Sequence, residues 1–189
     1  MNSVPPDAPT PPSIPDGLDL PTQAGRFTLV PIDAEGDLDL ICKWMNDPAV
    51  SRYWELDGPC GRTAEHLAEQ QSLAHTRPYL AHLEGRPLGY WEIYRAADDR
   101  LAAYYPALRD DLGIHLLIGA ADRRGHGLGA VLLTAVCDAL QVDGGRIVAE
   151  PDVRNTASLR TFLAAGFHQA GAIELPEKRA TLMIREAPA

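Results

Sequence analysis

The stretch Arg123-Arg124-Gly125-His126-Gly127-Leu128-Gly129, RRGHGLG, runs directly into the apolar segment AVLLTAVCDAL. Glycine disfavours helix by about 1 kcal/mol relative to alanine, yet here it alternates at the mouth of a helical pattern. Leu128, Val131, Leu132, Ala135, Val136, Ala139 and Leu140 fall on one stripe at helical period. Upstream, LGIHLLIG alternates Ile114, Leu116 and Ile118 with His115 and Leu117, the period of a strand. Strand, glycine-rich loop and immediate helix start make an anion cradle, because unpaired first-turn N–H groups and the helix dipole both favour phosphate. Arg123 and Arg124 add charge that suits a pyrophosphate better than a carboxylate. The loop alone does not separate this reading from a solvent-exposed turn with incidental arginines. It lacks the Gly-Lys-Ser/Thr of a Walker A motif and is not a Rossmann GxGxxG on an early βαβ unit.

Around this unit the elements alternate. RFTLVPI reads as a strand, DLDLICKWM as an amphipathic helix, and AEHLAEQQSLA as a helix with Thr63 as its N-cap. PYLAHLEGRPLGYWEIYRA gives two strands joined through Glu84-Gly85-Arg86, a β-hairpin. A long connection, AADDRLAAYYPALRDD, precedes LGIHLLIG. After the central helix, RIVAE reads as a buried strand, NTASLRTFLAA as a helix capped by Asn155 or Thr156 and stopped by Gly166, and ATLMIRE as a final strand. The pattern predicts an α/β (α+β) domain over 25–189, one mixed sheet packed by helices. Residues 1–24, rich in Pro and Asp and devoid of Lys and Arg, read as a disordered tail.

Composition narrows the function. A chain of 189 residues holds one sizeable domain. Its formal net charge of -9 argues against non-specific binding to nucleic acid or anionic membrane, which needs clustered Lys and Arg. No segment approaches a membrane span, and the N-terminus lacks the basic and apolar regions of a signal peptide, so a cytoplasmic protein is expected. Cys42, Cys60 and Cys137 form neither a CxxC pair nor a disulfide framework and read as structural thiols in a reducing compartment, with no zinc site.

Arg124-x-x-Gly127-x-Gly129 resembles the R/Q-x-x-G-x-G/A loop of the GNAT acyltransferase superfamily, whose backbone N–H groups bind the pyrophosphate of coenzyme A. Asn155, followed eleven and twelve residues later by Gly166-Phe167, resembles that superfamily's N-x₁₀-GF helix. The resemblance covers about the last 160 residues. It implies a GNAT fold, a mostly antiparallel sheet of about seven strands flanked by four helices, and acyl-CoA as co-substrate, acetyl-CoA or succinyl-CoA first, with no metal. GYWEIYRA, the connection containing Tyr104-Tyr105, DLGIHLLIG and EPDVRN are further similar to the siderophore-pathway N-acyltransferases. These acylate a terminal amine or hydroxylamine of lysine, cadaverine or a related chain. Aminoglycoside 6′-N-acetyltransferases are the rival resemblance, but typically carry Asp where this chain has His115. A non-catalytic coenzyme-binding module is the reading from another class.

The resemblance implies roles residue by residue. His115 lies beside the thioester, where an imidazole takes a proton from an attacking amine or orients a less basic hydroxylamine. Asp152 is its acidic partner, although Asp after Pro commonly makes a turn. Leu117, Ile118, Arg124, Gly125, His126, Gly127, Leu128, Gly129, Asn155 and Ser158 contact the coenzyme, with N–H groups around Leu116 and Leu117 facing the oxyanion. Apart from the resemblance, Trp44, Trp54, Trp91 and Tyr94 are candidates to line an acceptor pocket in which Glu92 meets a cationic group, with Trp91 and Glu92 favoured, against the competing reading that aromatics on a helix and a hairpin are core. Many superfamily members place a tyrosine seven residues after the Asn to protonate the departing thiolate. Here that position is Phe162, leaving Ser158, a water, or departure as thiolate.

Overall fold

A computed structural model describes residues 12–142 and 144–187. One eight-stranded sheet has the order β1-β2-β3-β4-β5-β6-β8-β7. Its strands are β1 (Leu18–Thr22), β2 (Gly25–Pro31), β3 (Thr76–Leu83), β4 (Arg86–Arg95), β5 (Leu112–Ile118), β6 (Ile147–Ala149), β7 (His168–Glu174) and β8 (Arg179–Arg185). Helices α1 (Leu38–Met45), α2 (Pro48–Trp54) and α3 (Cys60–Ser72) precede β3; α4 (Leu128–Leu140) and α5 (Thr156–Ala164) follow β5 and β6. All neighbouring strands are antiparallel except β5 and β6.

Two apolar layers sandwich the sheet. Phe27, Leu29, Tyr79, Trp91, Ile93 and Ile114 pack with Leu132, Val136 and Phe162 of α4 and α5. On the opposite face Tyr90, Leu80 and Leu117 pack with Ile41, Trp44, Met45, Val50 and Leu67 of the first three helices. Strand alternation sorts β4 between them: Tyr90, Glu92 and Tyr94 share one side and Trp91 and Ile93 the other. Trp91 is therefore fully buried, with its ring 5.5 Å from Phe27. The expectation that it lines an acceptor pocket is corrected to a core role.

Four further expectations need revision. The proline-rich segment does not stay apart as far as residue 24. Leu18–Thr22 pairs with β2, Tyr79 Oη donates to Pro15 O, and Asp16 meets Arg77. Leu18 and Leu20, both half-buried, anchor this strand; residues 1–11 of the expected tail lie outside the described residues. Strand β7 and helix α2 were not foreseen and bring the counts to eight strands and five helices. Helix α3 starts at Cys60, one residue after Pro59, and Thr63 is a fully buried residue of its first turn. Cys42 and Cys60 are joined in a disulfide, Cα atoms 5.4 Å apart, where free thiols were expected. The chain reverses through α2 and returns along α1 as α3, which brings together cysteines with no recognisable spacing. Only Cys137 is a free cysteine among the described residues.

Candidate active site

Strands β5 and β6 pair at only two positions, Leu112 with Ile147 and Gly113 with Val148. Beyond Gly113 the two strands part, and β5 runs on to Ile118 bonded only to β4. Gly119 N donates to Leu88 O on the β4 side, whereas Leu112 N donates to Arg146 O on the β6 side. Alternation along an antiparallel strand then turns the N–H groups of Leu116 and Ile118 into the opening and spends that of Leu117 on β4. The expected oxyanion donors, Leu116 and Leu117, are thereby corrected: Leu116 and Ile118 face the gap. A cavity of about 610 Å³ extends from it, lined by residues of α2, α3, β4, β5, α5 and the segment 149–152.

His115 stands on the wall of this cavity. It is directly opposite Glu92 in the β4–β5 register, so the two side chains share a face. Its Nδ1 lies 2.9 Å from Glu92 Oε2 and its Nε2 2.5 Å from Glu150 Oε1. Tyr94 Oη donates to the other Glu150 oxygen at 3.0 Å, and Lys178 Nζ is 3.9 Å from Glu150 Oε1. Glu92 Oε1 receives Tyr90 Oη and meets His66 Nε2, both at 2.8 Å. The Trp54 ring closes over the group edge-on, 6.3 Å from His66, 6.4 Å from His115 and 5.7 Å from Tyr90.

Since a carboxylate can only accept, an imidazole between two of them carries protons on both nitrogens. Burial alone pushes His115 down, but Glu150 and Glu92 more than reverse it and raise it to about 10. Glu92 and Glu150 are 3% and 5% exposed. Burial pushes both carboxyls up, and the cationic and hydrogen-bonding neighbours overturn that: His115 and His66 for Glu92, His115 with Lys178 and Tyr94 for Glu150. Both stay below the usual carboxylate range. The resting His115 is an imidazolium clamp with no lone pair to offer.

Asp152 lines the cavity but does not meet the histidine. Its carboxylate takes Arg154 N at 2.7 Å, Arg154 Nε at 2.9 Å and the Arg154 guanidinium again at 2.6 Å. It closes the turn after Pro151, and the arginine holds its carboxyl below the ordinary range. The acidic partner expected there is corrected to Glu150, two residues earlier in EPDVRN, with Glu92 on the other side. A glutamate ending the apolar strand RIVAE was the signal for it. His66 was also missed; it lies one turn after the buried Thr63, at i+3 on α3. Of the tryptophans considered for the pocket, Trp54 lines the cavity and Trp91 is buried in the core.

The glycine loop ends this wall. Gly125 and Gly127 have φ of +82° and +74°, a conformation costly for other residues. The N–H groups of Gly125, His126, Gly127, Leu128 and Gly129 have no main-chain acceptor among the described residues. A side chain at Gly129 would press on Thr161 of α5. Arg124 does not reach outward. Its guanidinium donates to Ile118 O at 2.7 Å, Gly119 O at 2.8 Å and Asp47 Oδ2 at 2.9 Å, so it braces the loop against β5 and α2. His126 is exposed. Asn155 caps α5 by accepting Ser158 N at 3.1 Å, and both residues line the cavity. Phe162, 3% exposed, packs edge-on to Phe167 and has no proton to give.

Residues 33–175 match the family model described as the acetyltransferase (GNAT) domain. The chain belongs to the GNAT family. It is 33% identical over 156 residues to the lysine N-acyltransferase MbtK of Mycolicibacterium paratuberculosis, covering 81% of this chain and 71% of that one. It is 32% identical to the N-hydroxyputrescine acetyltransferase of Acinetobacter baumannii, covering 77% and 71%. Among solved structures, aminoglycoside acetyltransferase AAC(6')-Ib in complex with coenzyme A superposes with a TM-score of 0.72 at 26% identity, covering 85% of this chain and 94% of that chain. The sheet of this GNAT chain is the expected fold with one more strand than foreseen, and its chemistry is acyl transfer. Among the described residues no group of three or more His, Cys, Asp or Glu has metal-binding geometry, and no helix is long and apolar enough to cross a membrane.

Proposed function

We propose that the protein transfers an acyl group from acetyl-CoA or succinyl-CoA to a terminal amine or hydroxylamine of N-hydroxycadaverine, N6-hydroxylysine or lysine, in hydroxamate siderophore biosynthesis. The observation that carries this reading is the charge of the pocket around His115. Glu55, Glu69, Glu92, Asp98, Asp99, Glu150, Asp152 and Glu177 line it, against Arg100, Lys178 and the His115 imidazolium, with Asp98 and Asp152 paired to Arg95 and Arg154. Arg100 is already held by Glu177, and Lys178 lies against Glu150. Such a cavity attracts a chain bearing ammonium groups and disfavours an anionic acceptor. Names of the relatives support the acceptor class, since they specify lysine and N-hydroxyputrescine.

The residues present fit coenzyme A. Free N–H groups at 125–129 and the first turn of α4 suit its pyrophosphate, and the parted β5 and β6 leave a slot leading to His115. Acyl-CoA brings the activated thioester. Leu116 and Ile118 N–H groups are the donors β5 offers to a carbonyl oxygen. The clamp formed by Glu92, His115 and Glu150 holds an acceptor nitrogen, and the Glu150 carboxylate, which keeps lone pairs where the His115 imidazolium has none, receives its proton as the C–N bond forms and the C–S bond breaks. The thiolate leaves as such, or takes a proton from Ser158 or water. Attack is direct, because Cys137 is buried in the core with its thiol pushed up to about 12 and is no nucleophile.

Product identity tests the reading. With N-hydroxycadaverine and succinyl-CoA, the expected product is a hydroxamate that forms a coloured Fe(III) complex. Acylation at the unmodified amine, which yields no Fe(III)-binding product, selects the amine acceptor within the reading; acylation of neither nitrogen contradicts it.

A further inference from the structure

One side chain at the end of the hydrogen-bonded group, His66, lines the same cavity and meets His115 through Glu92. His66 projects from α3 behind Glu92, with its side chain 17% exposed and its ring under the edge of Trp54. Glu92 Oε1 is where His66 Nε2 and Tyr90 Oη converge, and Glu92 Oε2 is where His115 Nδ1 attaches. Three donors thus satisfy one buried carboxylate. Such a carboxylate costs several kcal/mol when left with fewer partners, so its orientation is set by them. Removing His66 leaves Tyr90 alone on Oε1, and a carboxylate held by one donor on that side rotates about its terminal bond. Any rotation moves Oε2, and with it the Nδ1 anchor of His115.

We infer that His66 is a positioning residue, fixing Glu92 so that its second oxygen holds the His115 ring with Nε2 on Glu150 at the cavity wall. This rests on the acyl-transfer reading above only in that His115 and Glu150 face the acceptor. The position on α3 adds a structural consequence. The helix that carries His66 is held twice, by the Cys60–Cys42 disulfide to α1 and by Leu67 packed on the sheet face that carries Tyr90 and Leu80.

The test compares wild type, His66→Leu, His66→Gln, Glu92→Gln and the double variant His66→Leu/Glu92→Gln. Thiol release from succinyl-CoA with N-hydroxycadaverine gives kcat and KM, and the ¹H–¹⁵N spectrum of the imidazole nitrogens reports the His115 Nδ1–H bond without turnover. Removing an outer partner of a catalytic group costs about 10- to 100-fold, so His66→Leu is expected to lower kcat by that factor with KM for succinyl-CoA unchanged. His66→Gln, whose amide nitrogen reaches the same oxygen, is expected to recover most of the rate. In the Glu92→Gln background His66→Leu is expected to add little, because the two act in series. If His66→Leu does not fold, His66→Asn, one bond too short to reach Oε1, carries the same expectation. An unchanged His115 Nδ1–H signal in His66→Leu, or independent multiplicative losses in the double variant, overturns the inference. A shifted signal with no turnover of any acceptor leaves the positioning intact and overturns the function instead.

Discussion

Gly113 sits opposite Tyr94 in the β4–β5 ladder, and the tyrosine ring lies flat over it. A Cβ at this position would stand 2.0–2.5 Å from three atoms of that ring. Overpacking of this kind costs about 1–3 kcal/mol. Gly113→Ala is therefore expected to lower stability by about that amount and to lower kcat disproportionately, since Tyr94 Oη steadies Glu150; chemical denaturation alongside initial rates checks both. At this scale much was legible. His115 and Glu92 follow from alternation alone, because residues facing across an antiparallel pair share a side of the sheet. Trp91 failed for the same reason, read one residue out of phase with Glu92. Asp152 failed because its partner, Arg154, is two residues away in the chain and satisfies it locally, which no spacing rule reveals. Arg124 was legible as a loop residue, but its side chain turns back to the carbonyls of Ile118 and Gly119 and to Asp47, an aspartate far away in sequence.

The helices that cover the site illustrate the next scale. Helix α2 is seven residues long, opens with Pro48 at its first position and is capped by Asp47, whose side chain accepts Ala49 N. It is too short for a hydrophobic period, so the sequence offers no helix signature there, yet it delivers Trp54 over His115. The Cys42–Cys60 disulfide closes the segment that contains it, with the two cysteines 18 residues apart. Closing a loop of this size constrains the unfolded chain by about 3 kcal/mol. Cys60→Ser is expected to lower unfolding free energy by about 2–4 kcal/mol and to raise KM for the acceptor, because Trp54 and Glu55 form that side of the cavity. Equal acceptor KM values for wild type and Cys60→Ser contradict a wall held by the disulfide. Strand β7 escaped notice for a different reason. It is the last strand of the described sheet, nearly all its residues are exposed, and its register with β8 slips between Gln169 and Gly171, so neither face carries a pattern. The long periodic helix α4 and the hairpin β3–β4 were legible because each buries a full face.

Over the whole molecule, charge and topology act together. The chain carries a net charge of -9, and part of that excess is concentrated at the cavity where β5 and β6 part. The opening exists because the one parallel pair among the described strands is held at two positions and then released, while the antiparallel ladder of β4 and β5 keeps its register and carries Glu92 and His115 past the gap. The glycine-rich loop and the acidic pocket thus meet at one edge of β5. The most direct test is steady-state release of coenzyme A from acetyl-CoA and succinyl-CoA, with N-hydroxycadaverine, N6-hydroxylysine, lysine and kanamycin offered singly. The expected result is acceptor-dependent release, with the highest kcat/KM for an N-hydroxylated diamine or lysine chain. Release that no acceptor raises above hydrolysis, or a preference for kanamycin, contradicts the account.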